Sequence, residues 1–561
     1  MKDVIVPIIS AAIAKAHAAG KLKSSGVSVG TESPKDPSHG DIASNVALAL
    51  ARVEGKPPRA IAEIIREHLV LPDDVGEVTV AGPGFINFRM APVYWHREIR
   101  RAVAEGRSYF RPRKWSLRDG GNDTIQVEFL SANPTGPLTV GHGRNAVLGD
   151  TIARMYEAAG FKVNREYYFN DGGRQMRLLG ESVRVRYLQE LGRQAEMPKD
   201  GYQGEYIREI ARAMRSARGD QLADTEDREV FRATAVKAIF EEILATCKTL
   251  LIRFDTFKNE LDLVRDGRVD QVIHGLEDRG LVTNLDGALW LRAEPLGLPK
   301  DRVLVRSGDD ADPIYRTPDI AYHIEKLERG FDLIVDVFGA DHIAEHEDVI
   351  AAVKALGHDT SRIKAIIYQF VTLTRGGEKV KMSTRKATYV TLDELIEEVG
   401  PDVVRFFFLF RKHNSHLDFD LDLAKKQAPE NPVFYVQYAH ARLASVFREA
   451  EKAGLTLPRH TDDTSKIDLS LLSGEELDLA KRVLEFPEVA TAAAQALEPH
   501  RMPFYLLELA GEFHRYYNKP GNRIIGPERE LSLSRLYLAS LLRTGIALGL
   551  ELLGVTAPDR M

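Results

Sequence analysis

The chain has 561 residues, 44% of them apolar and 28% charged, which excludes disordered and fibrous classes. That length exceeds one ordinary core and predicts roughly three or four domains. Lys and Arg number 76 against 82 Asp and Glu, a net charge of −6, so a nucleic-acid partner would need a local basic face. The opening stretch MKDVIVPIISAAIAKAHAAG carries Asp3 and predicts an amphipathic helix, not a signal peptide. Helical patterns follow over Ala43–Leu50 and Ile61–Leu69, then short strands at Val78–Val80 and Phe85–Phe88 around Gly82-Pro83-Gly84. Residues 1–95 are therefore expected to form a small α+β module. Arg97 to Arg118 holds eight Lys or Arg against two Glu and predicts a link between domains.

From Thr124 the pattern changes. TIQVEFL predicts a buried strand, SANPTGPLTVGHG a loop, Arg144–Ala159 a helix closed by Gly160, and FKVNREYYF a second strand. Strand, loop, helix and strand at this spacing make a βαβ unit of a parallel sheet. Residues 175–255 predict a charged helical insertion, in which Cys247 sits on an apolar stretch as a small core residue. As the single cysteine, it excludes an internal disulfide framework. Strand-like segments resume at ALWLR, DRVLVRS, DLIVDVFG and IKAIIYQFVTLT, and nearly everything beyond Pro401 is helical by pattern. The longest apolar run, Val403–Phe410, is cut by Arg405 and falls short of the ~20 residues of a membrane span. The expected class is α/β: a doubly wound, Rossmann-like parallel-sheet domain over 115–400, between the N-terminal module and an all-α bundle over 401–561. A soluble cytoplasmic protein without a membrane partner is expected.

Two segments carry chemistry. Ser131 to Gly143 leaves a strand and enters a helix, and its prolines and glycines let a ligand approach the backbone. A helix start offers free N–H groups and positive potential to phosphate, and His142 there can donate to a phosphate oxygen. The second segment runs from Gly376 to Lys386. Between Lys364 and Thr388 six basic residues face one acid, and two glycines can act as hinges, as a triphosphate-binding loop requires.

Together these segments resemble the HIGH and KMSKS motifs of class I aminoacyl-tRNA synthetases, and most closely those of the arginyl-tRNA synthetase family. The resemblance runs through HGDIASNVALALA, GPGFINFRM, VEFLSANPTGPLTVGHGRNAVLGD, DIAYHIEKLERGFDLIVDVFGADH, KMSTRKATYVTLDELIEEVGPDVVRFFF, SHLDFDLDLAKKQAPENPVFYVQYAHAR and ELLGVTAPDRM. It implies ATP-dependent ligation of L-arginine to tRNA(Arg) through an arginyl-adenylate, with tRNA needed for activation. Magnesium would enter with ATP, and a monomer is expected. Thr139 stands where the family usually has the first His of its motif, and Lys386-Ala387 where it commonly has Lys-Gly. Restoring His at Thr139 is accordingly expected to leave activity equal or higher.

By the resemblance, His142, Lys381 and Thr139 are the catalytic positions, with Arg385 or Lys386 supplying further charge. Pro134, Thr135, Gly141, His142, Met382 and Ser383 would bind ATP. Glu128 and Asn133 would hold the amino end of arginine, Tyr315 and Asp319 its guanidinium, and Asp341 would stand where some members use Gln. A planar, permanently charged guanidinium needs a carboxylate and neutral acceptors, which Tyr315 and Asp319 supply four residues apart unless Asp319 pairs with Arg316. Asp341, His342, Glu345 and His346 have helical spacing, but no zinc site is expected there. Residues 501–543 hold seven Lys or Arg against four acids with interleaved aromatics. Phe504 and Phe513 read as core, whereas Tyr516, Tyr517 and Arg523 are assigned to tRNA in the anticodon-binding domain. A small-molecule adenylating enzyme of the same nucleotide fold would not need this helical platform.

Overall fold

The structure, a computed structural model, describes residues 1–34, 36–307, 316–380, 390–457 and 467–561. It divides into two compact units, one gathering Met1–Phe110, Leu443–Glu485 and Arg515–Thr544, the other Arg111–Arg442, Phe486–His514 and Gly545–Met561.

The first unit begins with α1 (Lys2–Ala18), β1 (Thr31–Glu32), β2 (Ile42–Ser44), α2 (Val46–Glu54), α3 (Pro58–Glu67), β3 (Val75–Ala81), β4 (Phe85–Met90) and α4 (Pro92–Glu105). The strands form an antiparallel sheet in the order β1-β2-β4-β3. Ala43, expected at a helix start, lies in β2, because Ile42, Ala43 and Ser44 pair with Phe88, Asn87 and Ile86 and are all buried. The basic stretch after Arg97 holds the boundary between the two units, at Phe110 and Arg111, but it is not all linker. Its first part is the outer face of α4, which buries Tyr94, Trp95, Ile99 and Ala102, while Arg97 pairs with Asp74 and Arg101 with Glu105.

The second unit starts with β5 (Thr124–Glu128), α5 (Val140–Ala158), β6 (Lys162–Phe169), α6 (Gly173–Glu190), α7 (Glu205–Arg218), α8 (Glu229–Thr249) and β7 (Thr256–Asn259). There follow α9 (Glu260–Arg265), α10 (Arg268–Glu277), β8 (Val282–Leu285), β9 (Ala288–Leu291), β10 (Arg302–Val305), α11 (Arg316–Glu328), β11 (Leu333–Gly339), α12 (Ile343–Ala355) and β12 (Ile363–Tyr368). Then come β13 (Val371–Arg375), β14 (Glu378–Lys379), α13 (Leu392–Val399), α14 (Pro401–Leu409), β15 (Leu417–Asp420), α15 (Leu421–Ala424) and α16 (Pro432–Lys452). The chain closes through α17 (Gly474–Leu484), α18 (Phe486–Gln495), α19 (Arg501–Tyr517) and α20 (Arg529–Leu552). Among the described residues no helix is long and apolar enough to cross a membrane.

The expected doubly wound α/β architecture is present. Its parallel sheet has the order β12-β11-β5-β6-β7, so the winding reverses at β5 and opens a crevice at that strand's carboxyl end. Three details depart from the sequence pattern. ALWL and RVLV do not join this sheet but pair antiparallel with each other in a separate one, with β8 on the far side of ALWL. IKAIIYQFVTLT is two strands, and its second half, β13, pairs with β15 inside the stretch expected to be helical. The short β7 supplies the parallel edge.

Arg405 ties this unit together. Fully buried on α14, it donates to the carbonyl oxygens of Leu553 (2.6 Å) and Leu250 (2.7 Å) and to Asp150 Oδ2 (2.6 Å) on α5. Burial pushes the Asp150 carboxyl up, but Arg405, Arg154 and Arg165 together hold it below the usual carboxylate range. Arg405→Met leaves two carbonyls and part of that carboxylate unanswered, at a cost of about 3–5 kcal/mol. Thermal unfolding should shift down by several degrees; an unchanged midpoint would mean the hub adds no net stability.

Candidate active site

Glu128 ends β5 at the crevice, and the backbone then turns sharply. Leu130 and Ser131 both have positive φ (68° and 44°), a conformation that needs outside support in residues other than glycine. Asn145 on α5 supplies it, accepting from Leu130 N–H (2.6 Å) and donating to Val337 O on β11 (2.9 Å). The Ser131 hydroxyl donates to Glu128 Oε1 (2.9 Å) and accepts from Tyr168 N–H (3.2 Å). Further along, Tyr167 donates to Ala132 O and Tyr206 to Thr135 O, each at 2.7 Å. Pro134 is buried, and Asn133 and Thr135 are half-buried along the same loop.

At the start of α5, Thr139 is the N-cap. Its hydroxyl accepts from His142 N–H (3.3 Å), and Thr139 N–H donates to His142 Nδ1 (3.2 Å), a reciprocal capping box. A backbone N–H can only donate, so Nδ1 is the acceptor and the neutral ring carries its proton on Nε2. Burial lowers the His142 pKa and favours that neutral form. The half-buried Gly141 lies in the same turn, where a side-chain carbon would meet nothing nearer than the Thr139 hydroxyl at 3.7 Å. At Gly143 such a carbon would stand 2.6 Å from Leu392, so glycine lets α5 close on the start of α13.

That contact brings the two sequence motifs together. Lys381, Met382 and Ser383 lie outside the described residues, but the stretch after them is anchored where Thr391 bridges Thr139 and Leu392 N–H donates to Leu138 O (2.8 Å). The stretch before them is held by the β13–β14 pair, with Val380 N–H on Leu373 O (2.9 Å). A phosphate at the α5 N-terminus would meet free N–H groups and the His142 ring.

The other side of the crevice is acidic. Asp319 opens α11, and burial pushes its carboxyl up to about 6 although His323 and Lys326 oppose the shift. It does not pair with Arg316, which together with Arg302 engages Asp348. Tyr315 lies outside the described residues. Glu260, a carboxylate that the sequence reading missed, starts α9 at the carboxyl end of β7; it accepts from Tyr168 (3.2 Å) and Asn170 (2.5 Å). Burial and the neighbouring Asp319 push it up to about 7. Two raised carboxyls, one of them raised by the other, with no ion pair to either carboxyl among the described residues, suit a cation. The available signal was position, since Glu260 follows a strand at the sheet edge where doubly wound folds bind ligands. Asn133 joins this wall through Asn170 N–H, which donates to Asn133 Oδ1 (2.9 Å). Asp341 is exposed and lies 3.6 Å from His342, which contacts Glu345. His346 turns away from those three toward His323 and Phe338.

A sheet crevice with a phosphate-suited helix start on one wall and a cation-suited carboxyl pair on the other can join an anion to a cationic small molecule. Residues 110–405 match the family described as tRNA synthetases class I (R), catalytic domain; residues 3–90 match the arginyl tRNA synthetase N terminal domain, and 436–561 the DALR anticodon binding domain. The chain belongs to the arginyl-tRNA synthetase family. It is 48% identical over 550 residues to the arginine–tRNA ligase of Salinibacter ruber, covering 94% of this chain and 95% of that one. It is 46% identical over 531 residues to that of Desulfotalea psychrophila, covering 94% of each. The solved Thermus thermophilus arginyl-tRNA synthetase superposes with a TM-score of 0.73 at 25% identity, over 99% of this chain and 100% of that one.

In arginyl-tRNA synthetase terms, the capping box reverses the expectation for Thr139→His. The threonine hydroxyl accepts from the His142 backbone N–H and so fixes the first turn of α5, and restoring histidine removes this fitted cap. Thr139→Ser should keep the parent aminoacylation rate, and Thr139→Val and Thr139→His should lose about tenfold. Parent activity in Thr139→Val would show that the hydroxyl cap is not needed at the start of α5.

Two further expectations need correction or placement. Tyr516 is 2% exposed and its hydroxyl donates to Glu476 (2.6 Å), which also accepts from Arg535 (2.6 Å). It is a core residue and has no open face for a base. Tyr517 is half-buried, and Arg523 is exposed, its carbonyl accepting from Arg535 (2.7 Å). Cys247 is buried on α8, and burial pushes its thiol up to about 12.

Proposed function

We propose the following chemistry for this site. The protein is an arginine–tRNA ligase: it joins L-arginine to its tRNA at the expense of ATP. The arginine carboxylate attacks the α-phosphate of ATP, pyrophosphate leaves, and a hydroxyl of the tRNA's terminal adenosine then takes the arginyl group and releases AMP. No enzyme nucleophile is needed, so the protein works by holding reactants in line and answering charge on the phosphates.

His142 donates from Nε2–H to a phosphate oxygen as charge develops, and Lys381, with Arg385 or Lys386, answers the leaving pyrophosphate. Pro134, Thr135, Gly141, Met382 and Ser383 line the nucleotide. Magnesium enters on the ATP phosphates, and zinc has no part. Glu128 and Asn133 take the α-ammonium, while Asp319 and Tyr315, with Glu260 beside them, take the guanidinium. Asp341 lies at the rim of the amino-acid side. Tyr517 and Arg523 remain the candidates for tRNA contact. The same reading makes the enzyme a cytoplasmic monomer with no membrane partner.

The observation that supports this reading best is the Asp319–Glu260 pair, two raised carboxyls without a cation. Aminoacylation with each protein amino acid tests it. Arginine alone should be charged, and citrulline, which matches it in shape without the charge, should be rejected. Charging of any other amino acid at a comparable rate would overturn the arginine reading.

A further inference from the structure

Glu128 is held at both carboxylate oxygens. Ser131 donates to Oε1, and Lys326 Nζ contacts Oε2. Lys326 is fully buried, with a second carboxylate, Asp336, at 2.7 Å and the Tyr322 ring face at 4.2 Å. Asp336 is in turn 3.1 Å from His323 Nε2, and His323 Nδ1 donates to the Asp319 carbonyl (2.7 Å). Asp319, His323 and Lys326 lie at i, i+4 and i+7 on one face of α11. One rigid helix therefore carries the carboxylate proposed for the guanidinium at one end. About 10.5 Å further along its axis it carries the cation that grips the carboxylate proposed for the α-ammonium.

A single carboxylate would suffice to balance a buried lysine. Asp336 already does so, and its other oxygen is met by His323. The second bond reaches across to β5 and fixes the rotamer of a side chain that is only half-buried and borders the crevice. We propose that Lys326 is a positioning residue for arginine binding, holding Glu128 in the orientation that receives the substrate's α-ammonium. This rests on the arginine reading above, and in particular on Glu128 as the ammonium's partner.

The test is aminoacylation by the full-length protein, with 5-guanidinopentanoate, which is arginine without its α-amine, as a competitive inhibitor. In Lys326→Met the arginine KM should rise about tenfold or more, the value of one charged hydrogen bond, while the inhibitor's Ki stays within about twofold of the parent. Lys326→Met combined with Asp336→Asn, which removes both charges together, should give the same split and covers the case in which the single variant does not fold. Equal weakening of arginine and the inhibitor would make Lys326 a general support of the pocket, and no weakening of either would make it irrelevant; both results overturn the proposal. Glu128→Gln tests the underlying reading separately. If it fails to weaken arginine relative to the inhibitor, Glu128 is not the ammonium's partner, and the role of Lys326 falls with it.

Discussion

Replacing Asp319 with Asn raises the arginine KM about a hundredfold or more and leaves the ATP KM near the parent value. The amide keeps the shape of the carboxyl and removes its charge, so a guanidinium that leaves water for this wall loses its main counter-ion. Arg316 cannot compensate and has no part in the loss, because Asp348 engages it. The pH dependence follows from the same pair. Burial pushes Asp319 up to about 6, and burial together with Asp319 pushes Glu260 up to about 7. Both groups bind a cation only when ionised. Affinity for arginine should therefore be weak below pH 6, rise through pH 6–7 and level off above. In Asp319→Asn, Glu260 loses its repelling neighbour and the remaining inflection should move to lower pH. The measurement is arginine KM against pH for parent and variant. An unchanged KM in folded Asp319→Asn protein would remove the amino-acid assignment.

His142→Ala should lower kcat by about 10²–10³, the usual loss for one transition-state donor, with tRNA affinity nearly unchanged. Its pH behaviour separates two mechanisms. Burial lowers the His142 pKa, and Thr139 N–H occupies Nδ1, so the working form is the neutral ring with a proton on Nε2. A neutral donor keeps its contribution as pH rises from 6 to 8, whereas an imidazolium would lose it over that range. Single-turnover adenylate formation across that range, read on a background in which arginine saturates, makes the comparison. A His142→Ala rate within about threefold of the parent would end the phosphate role.

The class of fold was legible because its signals are local. A buried strand, a Pro- and Gly-rich loop and an apolar helix in succession specify a βαβ unit wherever they occur. What escaped the reading depends on pairing. Ala43 follows its partners on β4 into a sheet, and β15 forms because β13 offers an edge, although neither segment is long enough to show a period of its own. His142, Thr139 and Asp319 were singled out through the motifs and the family resemblance they carry, but their states were not legible. That His142 accepts at Nδ1, and that Thr139 is its cap, depends on one turn of backbone geometry. Glu260 lay outside every quoted stretch, and Lys326 inside one that gave it no role; only the folded sheet sets the first beside Asp319 and the second against Glu128. Tyr516 shows the converse error, an aromatic amid basic residues whose hydroxyl is committed to Glu476 in the core.

The Arg405 hub bears on how the enzyme is made. Its partners include Leu553 O, and the residues just beyond are anchored as well: Thr556 N–H donates to Asp402 (3.0 Å), Gln437 donates to Thr556 O (3.0 Å), and His440 donates to Pro558 O (2.9 Å). A ribosome delivers the chain from its N-terminus, so the nucleotide-binding sheet and both motif flanks emerge long before these partners do. Until then Arg405 has its partners on Asp150 and Leu250 but lacks Leu553, and Asp402 lacks Thr556. A message cut short of codon 553 would yield a product carrying every motif residue and still lacking a finished core, open to proteolysis. Closure of the core is thus tied to Leu553 and Thr556, which are made more than 140 residues after Arg405 and Asp402.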